Sequence, residues 1–442
     1  MAPLAAGIIL SYAVFAFLAI RHIWLAMAAL NGSMPYVWPY SAVFLLLAWQ
    51  MTACFLEQPY KCHRGATEDL NTVVTVPVYN EDPALLADCL ESLLSQSRRA
   101  DHIFVVDDGS KADHVDYTAV REDFEMAARA VDVRTSWIRC TPNRGKRHAQ
   151  AVAVRGTPEA DVYVTVDSDA ILDYQAIAEG MKPFADPDVT SVAGILLLAN
   201  NRKNLITRTS ELWYVMTELI DRSAQSAMSC VLVNTGTFAL YRAEILRKHL
   251  DAYENETFFG RPVQFSDDSM LTLYAVLKGK TVQQPTALGF TAMPENLSHH
   301  FRQYLRWMRG MTIRTFWRFR YLPLNSYIYW LHFVRWVQAC ITIPLFLTVF
   351  AIDPIRTHHF PLSLFIVPVL VGYGRSLRYL TIRRYDESVW SQILTYLTAP
   401  LVVMWTYTVL RVLWWYGMAT CLKTGWGTRQ QVEVSLEESC EG

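Results

Sequence analysis

Apolar residues are concentrated toward the two ends of this chain, and a charged stretch of about 270 residues lies between them. Residues 3–30 form one apolar run, interrupted by Arg21 and His22, and Asn31-Gly32-Ser33 separates it from a second run over 36–56. A helix crosses a bilayer in about 20 residues. Each run is long enough, and the two together read as a helical hairpin with a very short outer turn. The first is too long for a signal peptide and lacks a basic leading segment. Apolar runs return at 326–352, 361–380 and 389–421. The linker 375–388 carries Arg375, Arg378, Arg383 and Arg384, whereas 353–360 carries only Arg356. Arginine-rich loops stay on the cytoplasmic side, which puts 375–388 and the charged middle on the same inner face. The last run contains Pro400 and is too long for one simple span, so it reads as one span or as a broken pair.

Composition fits this division. Of 442 residues, 52% are hydrophobic and 18% charged, against about 25% charged in an ordinary soluble chain. Forty basic and 41 acidic residues give a formal charge of -1, which argues against bulk attraction to nucleic acid. Eight cysteines are scattered singly with no Cys-x-x-Cys pair. That argues against a zinc site or a disulfide framework and for reduced thiols facing the cytosol.

The middle segment, 57–325, alternates short Val/Ile-rich runs with helical patterns. Strands are expected at 72–79, 103–107, 162–167 and 189–198, and helices near 83–95, 115–130, 146–155 and 173–184. Such alternation predicts an α/β domain with a mostly parallel sheet. Residues 297–321 set Arg302, Arg306, Arg309, Arg314, Arg318 and Arg320 among Phe, Tyr and Trp. This pattern predicts an amphipathic helix at the membrane surface, with an ordinary solvated helix as the alternative.

Three acidic signatures stand at or near expected strand ends, where open α/β sheets bind ligands. They are Asp107-Asp108-Gly109-Ser110, Asp167-Ser168-Asp169 and Ser266-Asp267-Asp268. A single Asp-x-Asp is common; three in this order point to nucleotide-sugar chemistry. A hard divalent cation, Mg2+ or Mn2+, binds through one or two carboxylates plus phosphate oxygens. Asp169, supported by Asp167, suits that role, and Asp268 can take a proton from an acceptor hydroxyl. Residues 143–148, Asn-Arg-Gly-Lys-Arg-His, place cations near a helix N-terminus, where anions bind well. Gln303 and Arg306, at i and i+3, share a helical face. Arg306 can fork onto a phosphate. Trp307 offers a flat surface for a sugar ring, or an interfacial anchor. His148 reads as a polar loop histidine rather than a catalytic one. Arg21 and Arg335 fall inside expected spans, where charge is costly; Arg335 either lines a polar conduit or snorkels.

These motifs resemble the membrane-embedded processive glycosyltransferases of family 2, of the inverting GT-A type, and within them the hyaluronan synthases. The likeness rests on Val76-Pro77-Val78-Tyr79-Asn80-Glu81-Asp82, the Asp107–Ser110 loop, Gly145-Lys146-Arg147-His148-Ala149-Gln150 and Val166-Asp167-Ser168-Asp169. It continues through Ala224-Gln225-Ser226, Asp267-Asp268, Gln303…Arg306-Trp307 and Trp426-Gly427-Thr428-Arg429. The resemblance implies a GT-A, Rossmann-like catalytic domain joined to an α-helical transmembrane domain with interfacial helices. Its parts would be a hairpin at 1–56, a cytosolic transferase domain at 57–295, interfacial helices at 296–325, membrane helices at 326–421 and a cytosolic tail at 422–442. Tyr79, Glu81, Asp108 and Lys146 would hold the uridine diphosphate, with Asp107, Arg147 and Asp167 in the same donor-binding set. Asp169 would be the direct metal ligand, with Asp167 beside it. Asp268, next to Asp267, would be the base, and Gln303, Arg306 and Trp307 would frame acceptor and diphosphate. Trp426 and Arg429 would close over the nucleotide, which requires a cytosolic tail and hence four or six spans.

The implied protein is a multi-pass plasma-membrane enzyme. It takes UDP-sugars, extends a polysaccharide that passes through its own membrane domain, and has no nucleic-acid partner. Hyaluronan, from UDP-GlcNAc and UDP-GlcA, is the expected product; a capsule or chitin-like polymer is the alternative. A single-sugar transferase acting on a lipid phosphate, or an inactive export protein, fits the retained motifs less well. Two departures stand out. Asn234-Thr235-Gly236-Thr237 replaces a stretch resembling Cys-Ser-Gly-Pro at the acceptor site, and Ser266 replaces a glycine.

Overall fold

In the computed structural model the described residues are 17, 21, 49–61, 65–111, 115–360, 366–382, 384 and 386–425. Most of the expected hairpin at 1–56, together with Trp426 and Arg429, lies outside them. The chain divides into two compact units. One comprises Pro59–Asn201, Met228–Thr315 and Gly417–Gly442; the other comprises Met1–Gln58, Arg202–Ala227 and Phe316–Tyr416.

The first unit is built on an eight-stranded sheet ordered β3-β2-β1-β4-β7-β6-β10-β5. Its strands are β1 (Thr72–Val78), β2 (His102–Asp107), β3 (Arg134–Arg139), β4 (Val162–Val166), β5 (Ala170–Leu172), β6 (Val189–Leu198), β7 (Phe238–Arg242) and β10 (Lys280–Thr291). Strands β8 (Thr257–Phe258) and β9 (Arg261–Pro262) form a separate small hairpin. Strands β1 to β4 are mutually parallel, as are β6 and β10. Strand β7 runs antiparallel to both β4 and β6. Every residue of β1, β2, β4 and β6 is buried. A sheet covered on both faces selects such unbroken apolar runs, and these are the four strands expected from the sequence. Gly194 in β6 lets Phe238 of β7 pack closely: an added Cβ there would lie 2.3 Å from the ring.

Seven helices matter for the site: α1 (Pro83–Leu94), α2 (Thr118–Ala130), α3 (Lys146–Gly156), α4 (Ala176–Met181), α5 (Ala243–Glu254), α6 (Asp267–Lys278) and α7 (Leu297–Tyr321), the last belonging to this unit as far as Thr315. Helix α1 begins where its sequence dictates. Pro83 opens it, and the Asp82 carboxylate accepts hydrogen bonds from the amides of Ala84 and Leu85. Helix α7 fills the expected basic, aromatic segment, but its charge pattern is not that of a simple surface helix. Arg314 and Arg318 are buried.

In the second unit, Asn204 and Thr207 cap the helix Leu205–Met216 reciprocally. The helical run Tyr327–Thr357, 31 residues long with an 18-residue window of mean hydropathy 1.7, is the one continuous run among the described residues long and apolar enough to cross a membrane. Val389–Leu397 and Ala399–Ala419 meet the same test only as a pair bent by 40°, with Pro400 in the first turn of the second piece. The run expected at 361–380 contributes a helix over Ile366–Ser376 and a 3-10 turn over Leu377–Thr381. Arg335 does not stand free. It pairs with Asp221 at 3.5 Å, and Arg375 meets the same carboxylate oxygen at 2.8 Å.

Candidate active site

The carboxyl ends of β1, β2 and β4 lie side by side, so the segments that follow them converge on one edge of the sheet. Strand β7 runs the other way, so its entry segment arrives at that edge too. The Asp167 amide donates to the Thr237 carbonyl at 3.2 Å. The first turns of α3 and α6 complete the rim.

Lys146, the first residue of α3, is the centre of the cluster. Its Nζ lies 2.6 Å from Asp167 Oδ1 and 3.0 Å from Asp267 Oδ2. The preceding Gly145 has φ +96°, a conformation that favours glycine. Its amide and that of Arg144 donate to the two oxygens of Asp108, at 2.6 and 3.1 Å. Asp108 therefore clamps the backbone that presents Lys146. Asp107 is likewise engaged, accepting from the Ser110 amide at 2.8 Å and lying 3.5 Å from Arg139. Glu81 accepts from the Ser168 hydroxyl at 2.7 Å, which ties the loop after β1 to the Asp167–Asp169 turn. Tyr79 stands half-buried at the end of β1.

Asp268 sits in the first turn of α6, where its Oδ1 accepts from the Ser269 amide at 2.6 Å. A Cβ on Gly236 would lie 3.6 Å from both Asp268 Oδ2 and Lys146 Nζ. Gly236, Asp268 and Lys146 thus line one space. Helix α7 approaches from Gly310, whose missing side chain admits Ser266: a Cβ would meet the Ser266 Cβ at 2.8 Å. Gln303, Arg306 and Trp307 are half-buried on α7, with the Trp307 ring 5.5 Å from that of Tyr304. The tail also passes here. The Gln264 amide donates to the Thr424 carbonyl at 3.2 Å, and Arg261 to the Leu422 carbonyl at 2.9 Å. Trp426 and Arg429 follow that segment, outside the described residues.

Arg147 departs from the sequence expectation. It turns away from Lys146 into the interior, bonding the Tyr253 and Phe265 carbonyls and Glu256. Adjacent helical residues point about 100° apart, so a Lys146 turned to Asp167 and Asp267 sends Arg147 elsewhere. His148 pairs with Glu254 at 2.6 Å, as befits a polar structural histidine. Sequence reasoning gives no site role to Ser168, Glu256 or Arg314, although Ser168 lies inside the Asp-x-Asp motif and Arg314 among the arginines of 297–321.

Residues 71–310 match the family model described as "Glycosyltransferase like family 2". The chain is a family 2 glycosyltransferase. It is 33% identical over 387 residues to the hyaluronan synthase of Streptococcus pyogenes, covering 86% of this chain and 87% of that one. It is also 34% identical over 245 residues to an N-acetylglucosaminyltransferase of Rhizobium meliloti, covering 55% of this chain and 56% of that one. Among solved structures, a mannosyltransferase of Pyrobaculum calidifontis in complex with GDP-Man and Mn2+ superposes with a TM-score of 0.53 at 20% identity. The match covers 92% of this chain and 99% of that one, and shows the GT-A fold.

The electrostatics of the glycosyltransferase site follow from its crowding. Burial pushes the Lys146 ammonium down, but Asp167 and Asp267 outweigh it and hold the pKa well above the ordinary lysine value. Burial raises Asp167, aided by Asp169 and Asp267 and opposed by Lys146. Asp267 ends below the usual carboxylate range, because Lys146 and Arg147 overcome its burial. Asp268 is pushed up to about 6, by burial first and by the Asp267 charge second. Among the described residues no three His, Cys, Asp or Glu side chains converge as a metal cage. The donor set nevertheless fits Mg2+ or Mn2+, which take one or two carboxylates and complete their shell with phosphate and water. Asp167 and Asp169 could supply that pair, since the Asp169 charge raises Asp167 and a cation would offset the like charge.

Proposed function

We propose that this enzyme polymerises UDP-sugars processively, with inversion at the anomeric carbon, and passes the product through its own membrane helices. Hyaluronan, from UDP-GlcNAc and UDP-GlcA, is the product that the likeness to the streptococcal hyaluronan synthase supports. That observation carries the reading, because the similarity spans 86% of the chain rather than the catalytic segment alone. One observation favours a second reading, a chitin-like product from UDP-GlcNAc. The acceptor-side stretch Asn234–Thr237 departs from the hyaluronan synthase pattern, and the rhizobial N-acetylglucosaminyltransferase is similar at comparable identity.

In this reading residues 57–295 work in the cytosol, 296–325 lie at the interface, and 1–56 with 326–421 form a multi-pass domain in the plasma membrane. Tyr79, Glu81 and Asp108 shape the uridine side of the pocket. Lys146 offers its ammonium to the diphosphate. Mg2+ or Mn2+, held by Asp169 with Asp167, would neutralise charge on the departing diphosphate. Asp268 takes the proton from the acceptor hydroxyl as its oxygen bonds to the anomeric carbon and the bond to UDP breaks. A carboxylate titrating near 6 is ionised at neutral pH yet basic enough to share that proton. Gln303, Arg306 and Trp307 hold the acceptor end, and Trp426 and Arg429 cover the nucleotide from the tail.

The test uses full-length protein in lipid nanodiscs with UDP-GlcNAc, UDP-GlcA and UDP-Glc, singly and paired, with Mg2+ or Mn2+ or with chelator. Polymer formed only from UDP-GlcNAc with UDP-GlcA, digestible by hyaluronidase and abolished by chelation, is expected. Polymer from UDP-GlcNAc alone selects the chitin-like reading. Asp268→Asn should stop transfer while UDP-sugar still binds; unchanged synthesis would remove Asp268 from the mechanism.

A further inference from the structure

Behind the donor-facing Lys146 lies a buried ion triad. Glu256 accepts a bidentate pair from Arg314, Nη1 to Oε1 and Nη2 to Oε2, each at 2.6 Å. It also accepts from Arg147 Nη1 at 2.5 Å. The Arg314 side chain is 0% exposed, and its Nε reaches the Ser266 hydroxyl at 3.4 Å. Arg147 secures the same segment from the other side, through the Phe265 carbonyl at 2.9 Å. Two guanidiniums therefore share one carboxylate in the interior. Such an arrangement is a poor source of stability compared with an apolar core, which directs attention to what it fixes in place.

It fixes α7. Gln303, Arg306, Trp307, Gly310 and Arg314 follow an i, i+3, i+4, i+7, i+11 spacing and so form one stripe along that helix. Two members of the stripe, Gly310 and Arg314, dock on Ser266, immediately before Asp267 and Asp268. The other three are the residues proposed to hold the acceptor. A roll of one residue would turn the stripe by about 100° and carry them away from the base.

We infer that Arg314 is a positioning residue, which locks the rotation of α7 through Glu256 and Ser266 and so aims Gln303, Arg306 and Trp307 at the acceptor beside Asp268. The inference rests on the proposed reading only in taking α7 as the acceptor side. Loss of Arg314 leaves Glu256 paired with Arg147, so the donor half, with Lys146, Asp167 and Asp267, keeps its support.

Arg314→Met, Arg314→Lys and Gly310→Ala test this in full-length protein in nanodiscs. UDP affinity is read by calorimetry, turnover by UDP release and integrity by thermal unfolding. Gly310→Ala reaches the same end by displacement, and it keeps the test open if Arg314→Met does not fold. The expected result is UDP affinity within about twofold of wild type and kcat lowered about tenfold or more in Arg314→Met and Gly310→Ala. Arg314→Lys should fall between, because an ammonium cannot fork. Unchanged kcat in both variants, or affinity and kcat falling in parallel with the melting temperature, would overturn it. UDP release needs no polymer. A wild type that adds a single sugar would refute the processive reading while leaving this split measurable.

Discussion

The titration of Asp268 can be read in a pH profile, and Asp267 gives the means to move it. Burial is the larger cause of the raised pKa and the neighbouring Asp267 charge the next, together placing the group at about 6. As the proposed base, Asp268 must be ionised to act, so activity should be retained above that value and lost as pH falls through it. A one-proton group of pKa about 6 is about nine-tenths ionised at pH 7 and about one-tenth at pH 5. The kcat/KM of wild type should therefore drop roughly tenfold between those two points, since this parameter reports groups of the free enzyme. Asp267→Asn removes the like charge and leaves the Lys146 ammonium on Asp167 at 2.6 Å. The acid limb should then move to lower pH, but only part of the way to the ordinary carboxylate range, because burial remains. The assay is UDP release at subsaturating donor across the pH range, and the readout is the midpoint of the limb rather than the absolute rate. Superimposable limbs in wild type and Asp267→Asn, or a wild-type limb in the ordinary carboxylate range, would refute the electrostatic account.

Two further expectations concern glycines. Gly236→Ala places a methyl at ordinary contact distance, 3.6 Å, from Asp268 and Lys146; the melting temperature should hold while transfer falls, because the methyl occupies the space proposed for the acceptor. Gly194→Ala drives a Cβ to 2.3 Å from the Phe238 ring. It should cost about 1–3 kcal/mol, visible as a lowered melting temperature, with UDP affinity near normal in the protein that remains folded.

Legibility in the sequence tracked burial and locality. Strands β1, β2, β4 and β6 could be read because both faces are covered and the runs are apolar throughout. Edge strand β3 is half-exposed and carries Arg134 and Arg139, so it offers no such run. Strand β10 contains Pro285 and Gly289 and shifts register between Gln283 and Leu288. The acidic motifs were visible because each is contiguous and stands at or near an element boundary. Charge alone does not reveal which way a helical residue points, and the Arg147 guanidinium bonds Glu256 in the interior. Glu256 and Arg314 are 58 residues apart, and nothing in the local pattern of either announces the other. Arg314 stands among the arginines of an expected amphipathic face, where spacing cannot separate a solvated guanidinium from one anchored inside.

The reversed direction of β7 bears on how such enzymes can diversify. In an all-parallel sheet every segment at the ligand-binding edge leaves a strand, and the helix after it must then be accommodated. Strand β7 instead enters from that edge, with Phe238 opposite Val166 and Arg242 opposite Val162. Residues 234–237 are therefore a lead-in whose sequence can vary while the ladder that follows keeps its register. The donor-side motifs sit on outgoing ends of different strands. On the proposed reading, in which 234–237 border the acceptor, a lineage could exchange what it accepts by rewriting four residues, and inherit its nucleotide chemistry intact.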